Sequence, residues 1–134
     1  MPVEKTETLQ IRSEQDVVAV RQAVKAWAAQ LSFSLVDQTK IVTAASELGR
    51  NTFIYGGGGV ARLEILSEGL RRGLRIAFED HGPGIPDIDR AMQDGYTTGK
   101  GMGLGMSGSK RLVNDFKVTS EVGKGTTVTI TRWK

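Results

Sequence analysis

The first half of the chain repeats apolar positions with the period of an α-helix. Ser13 and Asp16 form a helix-capping pattern, and apolar residues then recur every three or four positions as far as about Leu31. A second such stretch covers residues 35–55, where the glycine run at residues 56–59 ends it. The pattern predicts two amphipathic helices, each with one apolar face to bury.

Beyond residue 59 the apolar positions recur every second residue, as in strands that face a core on one side. Residues 60–67 and 74–78 alternate in this way and predict a hairpin that turns within residues 69–73. Residues 117–122 and 126–133 predict a second hairpin.

The remaining segments complete the predicted architecture. Residues 7–11 predict an edge strand, residues 88–92 a short helix, and residues 105–116 a longer one. We therefore expect one domain over residues 1–134. Its predicted fold class is α/β (α+β), a two-layer sandwich of a mostly antiparallel sheet with about three helices on one face.

Composition narrows the function classes. No apolar run approaches the roughly 18 residues of a membrane span, so we expect no membrane partner. The chain has no cysteine and one histidine, which excludes disulfides, makes a structural zinc site very improbable and fits a cytoplasmic protein. The net charge of +3 is dispersed along the chain, so we expect no nucleic acid as partner.

Strand parity directs two polar side chains toward the core at strand ends. Asp80 shares its parity with Phe78, and Thr126 shares its parity with Val128. An inward carboxylate can accept a hydrogen bond from the exocyclic amino group of a base. The alternative is that Asp80 only starts a turn, because the glycines and the proline of residues 82–84 are turn formers.

The second predicted helix carries a carboxylate and an amide one turn apart. Glu47 and Asn51 are four residues apart, so at about 100° per residue they project side by side from the flank of the apolar face. A carboxylate there can act as a general base, and an amide oxygen can bind Mg²⁺. The alternative is a solvent-exposed helix edge, because such pairs are common by chance.

A glycine-dense segment precedes the last predicted helix. Gly101, Gly103 and Gly105 leave backbone N–H groups accessible to phosphate oxygens, and Lys100 adds a positive charge. The alternative is a flexible loop followed by a helix cap. Residues 103–108 also satisfy the dinucleotide fingerprint, but no strand directly precedes them and no series of βαβ units surrounds them, which argues against a Rossmann fold.

Taken in chain order, these motifs resemble the boxes of the GHKL ATPase and kinase superfamily. The N, G1, G2 and GT boxes match Glu47-x-x-x-Asn51, Asp80-x-Gly82-x-Gly84, Gly101-x-Gly103-x-Gly105 and Gly125-Thr126. The joint match covers nearly the whole domain and is more specific than any single box. It implies the Bergerat ATP-binding fold.

The resemblance also implies roles for the matching residues. Asp80 would receive the adenine amino group, Asn51 would hold Mg²⁺, and Thr126 would support the Asp80 end of the pocket. The segment at residues 101–105 would close as a lid over the phosphates of ATP. From the patterns and the resemblance together, the predicted ATP-binding set comprises Asn51, Asp80, Gly82, Gly84, Lys100, Gly101, Gly103, Leu104, Gly105, Met106 and Thr126.

Within the superfamily, residues 46–51, 79–87 and 108–112 look most like the RsbT-type stressosome kinases. This likeness implies transfer of the γ-phosphate of ATP to a serine or threonine of a STAS-domain antagonist protein on a stressosome scaffold. Glu47 would orient or deprotonate the acceptor hydroxyl. The released kinase would then activate a downstream phosphatase.

Two rival functions share the nucleotide motifs. A nucleotide-dependent anti-sigma factor of the same superfamily carries every box and acts mainly by sequestering a sigma factor. The catalytic half of a histidine kinase is a poorer match, because Glu47 suits a serine acceptor better and His81 lies in the predicted loop after Asp80.

Overall fold

A computed structural model describes residues 2–92 and 104–134 as a five-stranded sheet with helices packed on one face. The strands have the order β1-β2-β3-β5-β4, and every neighbouring pair is antiparallel. This arrangement confirms the predicted two-layer α/β sandwich. Its elements are β1 (Val3–Ile11), α1 (Glu14–Gln30), α2 (Leu35–Ile54), β2 (Gly59–Glu68), β3 (Arg71–Asp80), α3 (Ile88–Ala91), α4 (Leu104–Arg111), β4 (Asp115–Glu121) and β5 (Gly125–Trp133).

The core lies between the helices and the inner face of the sheet. Ile76 of β3 and Ile130 of β5 are paired in register and fully buried. They form one cluster with the apolar face of α2, where Ile41 and Leu48 are buried. The helix therefore lies along β3 and brings its carboxyl-terminal half to the end of that strand where Asp80 lies.

Helix α1 begins at a side-chain hydrogen-bonded cap and ends at a residue with positive φ. The Ser13 hydroxyl accepts a hydrogen bond from Asp16 N at 3.2 Å, and the Asp16 carboxylate accepts one from Arg12 N at 2.8 Å, so the predicted capping pattern is confirmed. The chain leaves the helix through Ser32, which has a φ of 62° and is the one described non-glycine residue with positive φ. Glycine is usual at such a position, because side chains disfavour this backbone conformation by about 1 kcal/mol.

The prediction of a helix to residue 116 was wrong, since α4 ends at Arg111. Asn114 N donates to Thr131 O at 2.9 Å, and Phe116 pairs with Ile130. These residues therefore pair with β5 in the sheet, although their apolar spacing also fits a helix.

Two further boundaries differ from the prediction. Strand β1 lies at the edge of the sheet as expected, but it begins at Val3 rather than at residue 7 and pairs with β2 across a bulge. The first hairpin turns more tightly than expected, because Glu68 pairs with Arg71 and only Gly69 and Leu70 remain in the turn.

Arg132 of β5 connects three parts of the fold. Its guanidinium donates to the Asp37 carboxylate in the first turn of α2 and to Leu112 O, 2.9 Å away, just after α4. Because of this hydrogen bond and the charge of Arg132, the pKa of Asp37 lies below its ordinary value. The contact fixes the start of α2 against the sheet and against the end of α4.

None of the helices in the described part of the chain is long and apolar enough to span a membrane.

Candidate functional site

A cleft opens between the carboxyl-terminal half of α2 and the neighbouring ends of β3 and β5. Its walls are mostly apolar and buried, and its polar groups are few, which is typical of a small-molecule site. The lining residues are Leu48, Asn51, Thr52, Tyr55, Gly56, Phe78, Asp80, Pro83, Gly84, Ile85, Met106, Thr126 and Val128.

Asp80 is the one carboxylate among these lining residues. Its Oδ1 accepts hydrogen bonds from Gly82 N at 2.9 Å and from Thr126 N at 3.2 Å, while its Oδ2 accepts none from the described residues. The bond to Gly82 is the turn-forming contact of the alternative interpretation. Asp80 therefore starts the turn and also lines the cleft, so the two interpretations are compatible.

Two glycines make room for this carboxylate. A Cβ on Gly56 would lie 2.6 Å from the Asp80 Oδ2, and a Cβ on Gly82 would lie 2.8 Å from the Gly56 Cα, both far inside contact distance. Gly84 has a φ of 78°, and a Cβ there would meet Glu121 O at 2.5 Å. The glycines of the Asp80 loop thus let backbone segments approach closely beside the cleft.

Thr126 belongs to a hydrogen-bonded group that the sequence did not reveal. The Ser120 hydroxyl donates to Gly125 O at 3.1 Å and accepts from Ile85 N at 2.7 Å. The Ser120 hydroxyl also lies 2.9 Å from the Thr126 hydroxyl, and either oxygen can be the donor. In both arrangements the Thr126 oxygen keeps a lone pair with which it can accept a hydrogen bond in the cleft.

The two predicted polar residues of α2 differ in their position. Asn51 is half-buried and lines the cleft, and its side-chain amide makes no hydrogen bond with the described residues. Glu47 lies one helical turn earlier, is exposed, and does not line the cleft. The amide is thus placed to reach a ligand in the cleft, and the carboxylate is accessible from outside.

The predicted binding set is only partly within the described residues. Asn51, Asp80, Gly84, Met106 and Thr126 line the cleft, and Gly82 packs behind Asp80 against Gly56. The backbone of α4 begins at Leu104, so the first turn of that helix includes Gly105 and Met106. The remaining predicted residues, Lys100, Gly101 and Gly103, lie outside the described part of the chain.

The sequence also missed several residues of the site. Ser120 shares its strand parity with Phe116 and Val118, so the rule that placed Thr126 could have found it. The sequence predicts Gly56 only as part of the glycine run that ends a helix, because its approach to Asp80 joins residues far apart in the chain.

Comparison with known proteins places this geometry in a family. Residues 36–134 match the family of histidine kinase-, DNA gyrase B-, and HSP90-like ATPases. The chain is 43% identical to the serine/threonine-protein kinase RsbT of Bacillus subtilis (strain 168), over 93% of this chain and 94% of that protein. It is 35% identical to the anti-sigma F factor of Geobacillus kaustophilus (strain HTA426), over 87% of this chain and 83% of that protein.

A solved structure has the same fold. The RsbU and RsbW domains of Rv1364c from Mycobacterium tuberculosis superimpose with a TM-score of 0.61 at 20% identity, covering 98% of this chain. This chain spans about a third of that one, 32%, and the likeness concerns the fold alone. From the family match and the identity to its relatives, the chain belongs to the histidine kinase-, DNA gyrase B-, and HSP90-like (GHKL) ATPases.

Proposed function

We propose that this protein is an ATP-dependent serine/threonine kinase of a bacterial partner-switching pathway. It transfers the γ-phosphate of ATP to a hydroxyl of a STAS-domain antagonist protein and, once released, activates a downstream phosphatase. The observation that carries the proposal is the Asp80 carboxylate, which lies in an apolar cleft, is anchored through one oxygen, and accepts no hydrogen bond from the described residues at the other. The identity to the kinase RsbT supports the reaction class and the pathway.

We assign the adenine of ATP to the described end of the cleft. The free Oδ2 of Asp80 can accept a hydrogen bond from the exocyclic amino group, and Thr126 can accept a second from the base or from water. Phe78 and Val128, which are buried beneath the cleft, offer apolar surface to the ring. The site would therefore select a base whose hydrogen-bond donor, such as the exocyclic amino group of adenine, faces the acceptor oxygen of Asp80.

The phosphates would extend from the base toward Asn51 and the first turn of α4. No group of three or more His, Cys, Asp or Glu side chains that could hold a metal lies within residues 2–92 and 104–134. The Asn51 amide oxygen is a donor that suits Mg²⁺ and would hold the ion together with the bound nucleotide. The ion would offset phosphate charge, and the segment at residues 101–105 would cover the phosphates.

Glu47 is suited to act on a hydroxyl that arrives with another protein. It is exposed, lies one turn from Asn51, and makes no hydrogen bond or ion pair with the described residues. A general base for an external acceptor has to be accessible, and its oxygens have to be free to accept the hydroxyl proton. Glu47 would orient that hydroxyl toward the γ-phosphate and receive its proton as the new oxygen–phosphorus bond forms. The bond between the γ-phosphorus and the oxygen that bridges it to the β-phosphate would break in the same transfer, and ADP would leave.

Glu47→Ala tests this assignment. We expect ATP affinity to stay within about twofold, and phosphotransfer to fall by about 100-fold or more, because general base catalysis contributes about 10²–10⁴. Affinity is measured by calorimetry, and transfer by mass spectrometry of the STAS-domain acceptor. Glu7→Ala is the control, since Glu7 is exposed on β1 and has no partner in the described chain. Full transfer by the Glu47 variant would remove the residue from the mechanism.

The identity to anti-sigma F factors supports a second candidate function, in which the protein acts mainly by sequestering a sigma factor. The nucleotide cleft is common to both candidates and cannot separate them. Purified protein with Mg-ATP should be offered a sigma factor and a phosphatase in parallel pull-downs. Retention of the phosphatase is the result that the kinase proposal requires, and selective retention of the sigma factor favours the alternative.

A further inference from the structure

A second depression in the surface lies between the two long helices. The start of α1 passes the carboxyl-terminal half of α2 there, and a Cβ on Gly49 would lie 3.6 Å from the Val17 Cγ1. We call this depression the helix groove. It shares no lining residue with the nucleotide cleft and is lined by Glu14, Val17, Val18, Arg50, Phe53 and Ile54.

The helix groove borders Glu47. At about 100° per residue, five side chains of α2 follow one another around the helix in the order Phe53, Arg50, Ile54, Glu47 and Asn51. Arg50 and Ile54 line the groove, and Asn51 lines the nucleotide cleft. At about 1.5 Å of rise per residue, Ile54 lies about 10 Å from Glu47 along the helix axis. Glu47 therefore lies between the groove and the cleft.

The groove exposes apolar side chains of two helices at one place. Val18 of α1 is 40% exposed and Ile54 of α2 is 45% exposed. Val17 and Phe53 line the same groove and are partly buried against the core. Because these four residues meet in one groove, they form a contiguous apolar surface, and such a surface fits an interface better than scattered exposed residues do.

Arg50 brings an unpaired cation to this surface. Its guanidinium makes no hydrogen bond or ion pair with the described residues, and the Glu14 carboxylate on the other side of the groove makes none either. By contrast, Arg62 and Arg75 are each paired with a glutamate of the neighbouring strand. A carboxylate of a partner could therefore bind Arg50 without displacing an existing ion pair, less than one helical turn from Glu47.

We propose that the helix groove is the docking surface for the phosphoacceptor protein. A protein whose hydroxyl reaches Glu47 has to cover the adjoining surface of α2, which includes Arg50 and Ile54. The matching surface of the acceptor carries an apolar side chain about 10 Å from its hydroxyl, and between them a carboxylate that pairs with Arg50. A second copy of this chain in the groove would cover Glu47 and exclude the acceptor. This inference rests on the proposed function, which supplies the acceptor and the role of Glu47.

The test compares Val18→Gln and Arg50→Gln with the wild type. Val18 lies on α1, so its substitution leaves the helix that carries Glu47 unchanged. We expect each variant to bind the STAS-domain acceptor about fivefold more weakly or worse, measured by calorimetry with the non-hydrolysable imido analogue of ATP bound. In phosphotransfer, the KM for the acceptor should rise by a similar factor. Both kcat and the KM for ATP should stay within about twofold, because the lost contacts are equal in the ground and transition states.

Two matched controls remove the same kinds of group elsewhere. Leu70→Gln replaces an apolar side chain that is 107% exposed in the turn of the first hairpin, at the opposite end of the sheet. Lys117→Gln removes an exposed charge from β4, on the face of the sheet that lies away from the helices. Neither control should change the acceptor affinity or the KM for the acceptor.

Several results overturn the inference. They are wild-type acceptor affinity in both groove variants, an equal loss in Leu70→Gln, a parallel loss of ATP affinity, failure of the wild type to bind the acceptor, or a wild-type dimer in sedimentation that Val18→Gln dissolves. An acceptor that binds through the groove but is never phosphorylated contradicts the proposed kinase function alone. Phosphotransfer with an unchanged KM in both variants contradicts the docking surface alone, so the two proposals can fail separately.

Discussion

At Asp80, the two oxygens of one carboxylate have different surroundings. Oδ1 accepts hydrogen bonds from two backbone N–H groups, those of Gly82 and Thr126, and Oδ2 accepts none from the described residues. Strand parity alone predicted the direction of this side chain, because alternate residues of a strand share a face. The space around it depends on Gly56, whose approach to Asp80 no local pattern contains.

Asp80→Asn should retain the turn and lose adenine recognition. The amide oxygen can still accept both backbone N–H groups, but the amide nitrogen then presents a donor to the adenine amino group. We expect ATP affinity to fall about 10- to 100-fold, in line with roughly 1.5–3 kcal/mol for a hydrogen bond to a charged group. Calorimetry measures this, with Glu79→Gln as the control on the opposite face of the strand. Equal affinities for both variants would refute the assignment of Asp80.

Gly56→Ala should displace the Asp80 carboxylate, because the new Cβ would lie 2.5 Å from Asp80 Cγ. We expect weaker ATP binding and a loss of about 1–3 kcal/mol of unfolding free energy. Gly49→Ala is the matched control, since its Cβ would meet Phe78 at an ordinary 3.6 Å and alanine raises helix propensity by up to about 1 kcal/mol. Urea unfolding and calorimetry compare the two. If Gly56→Ala binds ATP as the wild type does, the steric argument is wrong.

At the scale of elements, the long helices and both hairpins were predicted well, and the end of the helix that begins at residue 104 was not. Helix α2 has a continuous apolar face and a glycine run after it, so its bounds follow from local signals. Helix α4 has eight residues, and the chain enters strand β4 shortly after it. Arg132 reinforces this ending by donating to Leu112 O and to Asp37, which lies 95 residues away in the chain.

The contact between Arg132 and Asp37 predicts a pH dependence. The pKa of Asp37 is lowered in the folded state, so the stabilisation is fully present above the ordinary value of 3.8 and is lost as pH falls through the lower folded pKa. Asp37→Asn should therefore lower the urea midpoint at pH 7, and this difference should shrink as pH falls below about 4. Glu7→Gln should show no such difference at pH 7. A deficit in Asp37→Asn that is constant over this range contradicts the ion pair's contribution.

At the scale of the whole molecule, the two ends of the sheet's strands carry chemically different surfaces. One end contains the cleft, built from α2 and the ends of β3 and β5. The other contains the first hairpin turn, the end of α1 and the side chains of Arg71, Arg72 and Lys134.

ATP should stabilise the whole fold and GTP should not. A ligand at 100 times its dissociation constant adds about 2.7 kcal/mol to the unfolding free energy. Guanine presents a carbonyl oxygen where adenine presents its amino group, so it would face the Asp80 carboxylate as a second acceptor. Urea unfolding with Mg-ATP or Mg-GTP at the same concentration measures this. Equal stabilisation by both nucleotides contradicts the proposed base recognition.

The sequence by itself determined the fold class, the inward direction of Asp80 and Thr126, and the adjacency of Glu47 and Asn51. These follow from the periods of strands and helices, which act over a few residues. Only the tertiary structure decided that Gly56 makes room for Asp80, that Ser120 orients Thr126, and that sheet pairing ends α4. These features join residues distant in the chain, so their energies arise only when the sheet and the helices pack together.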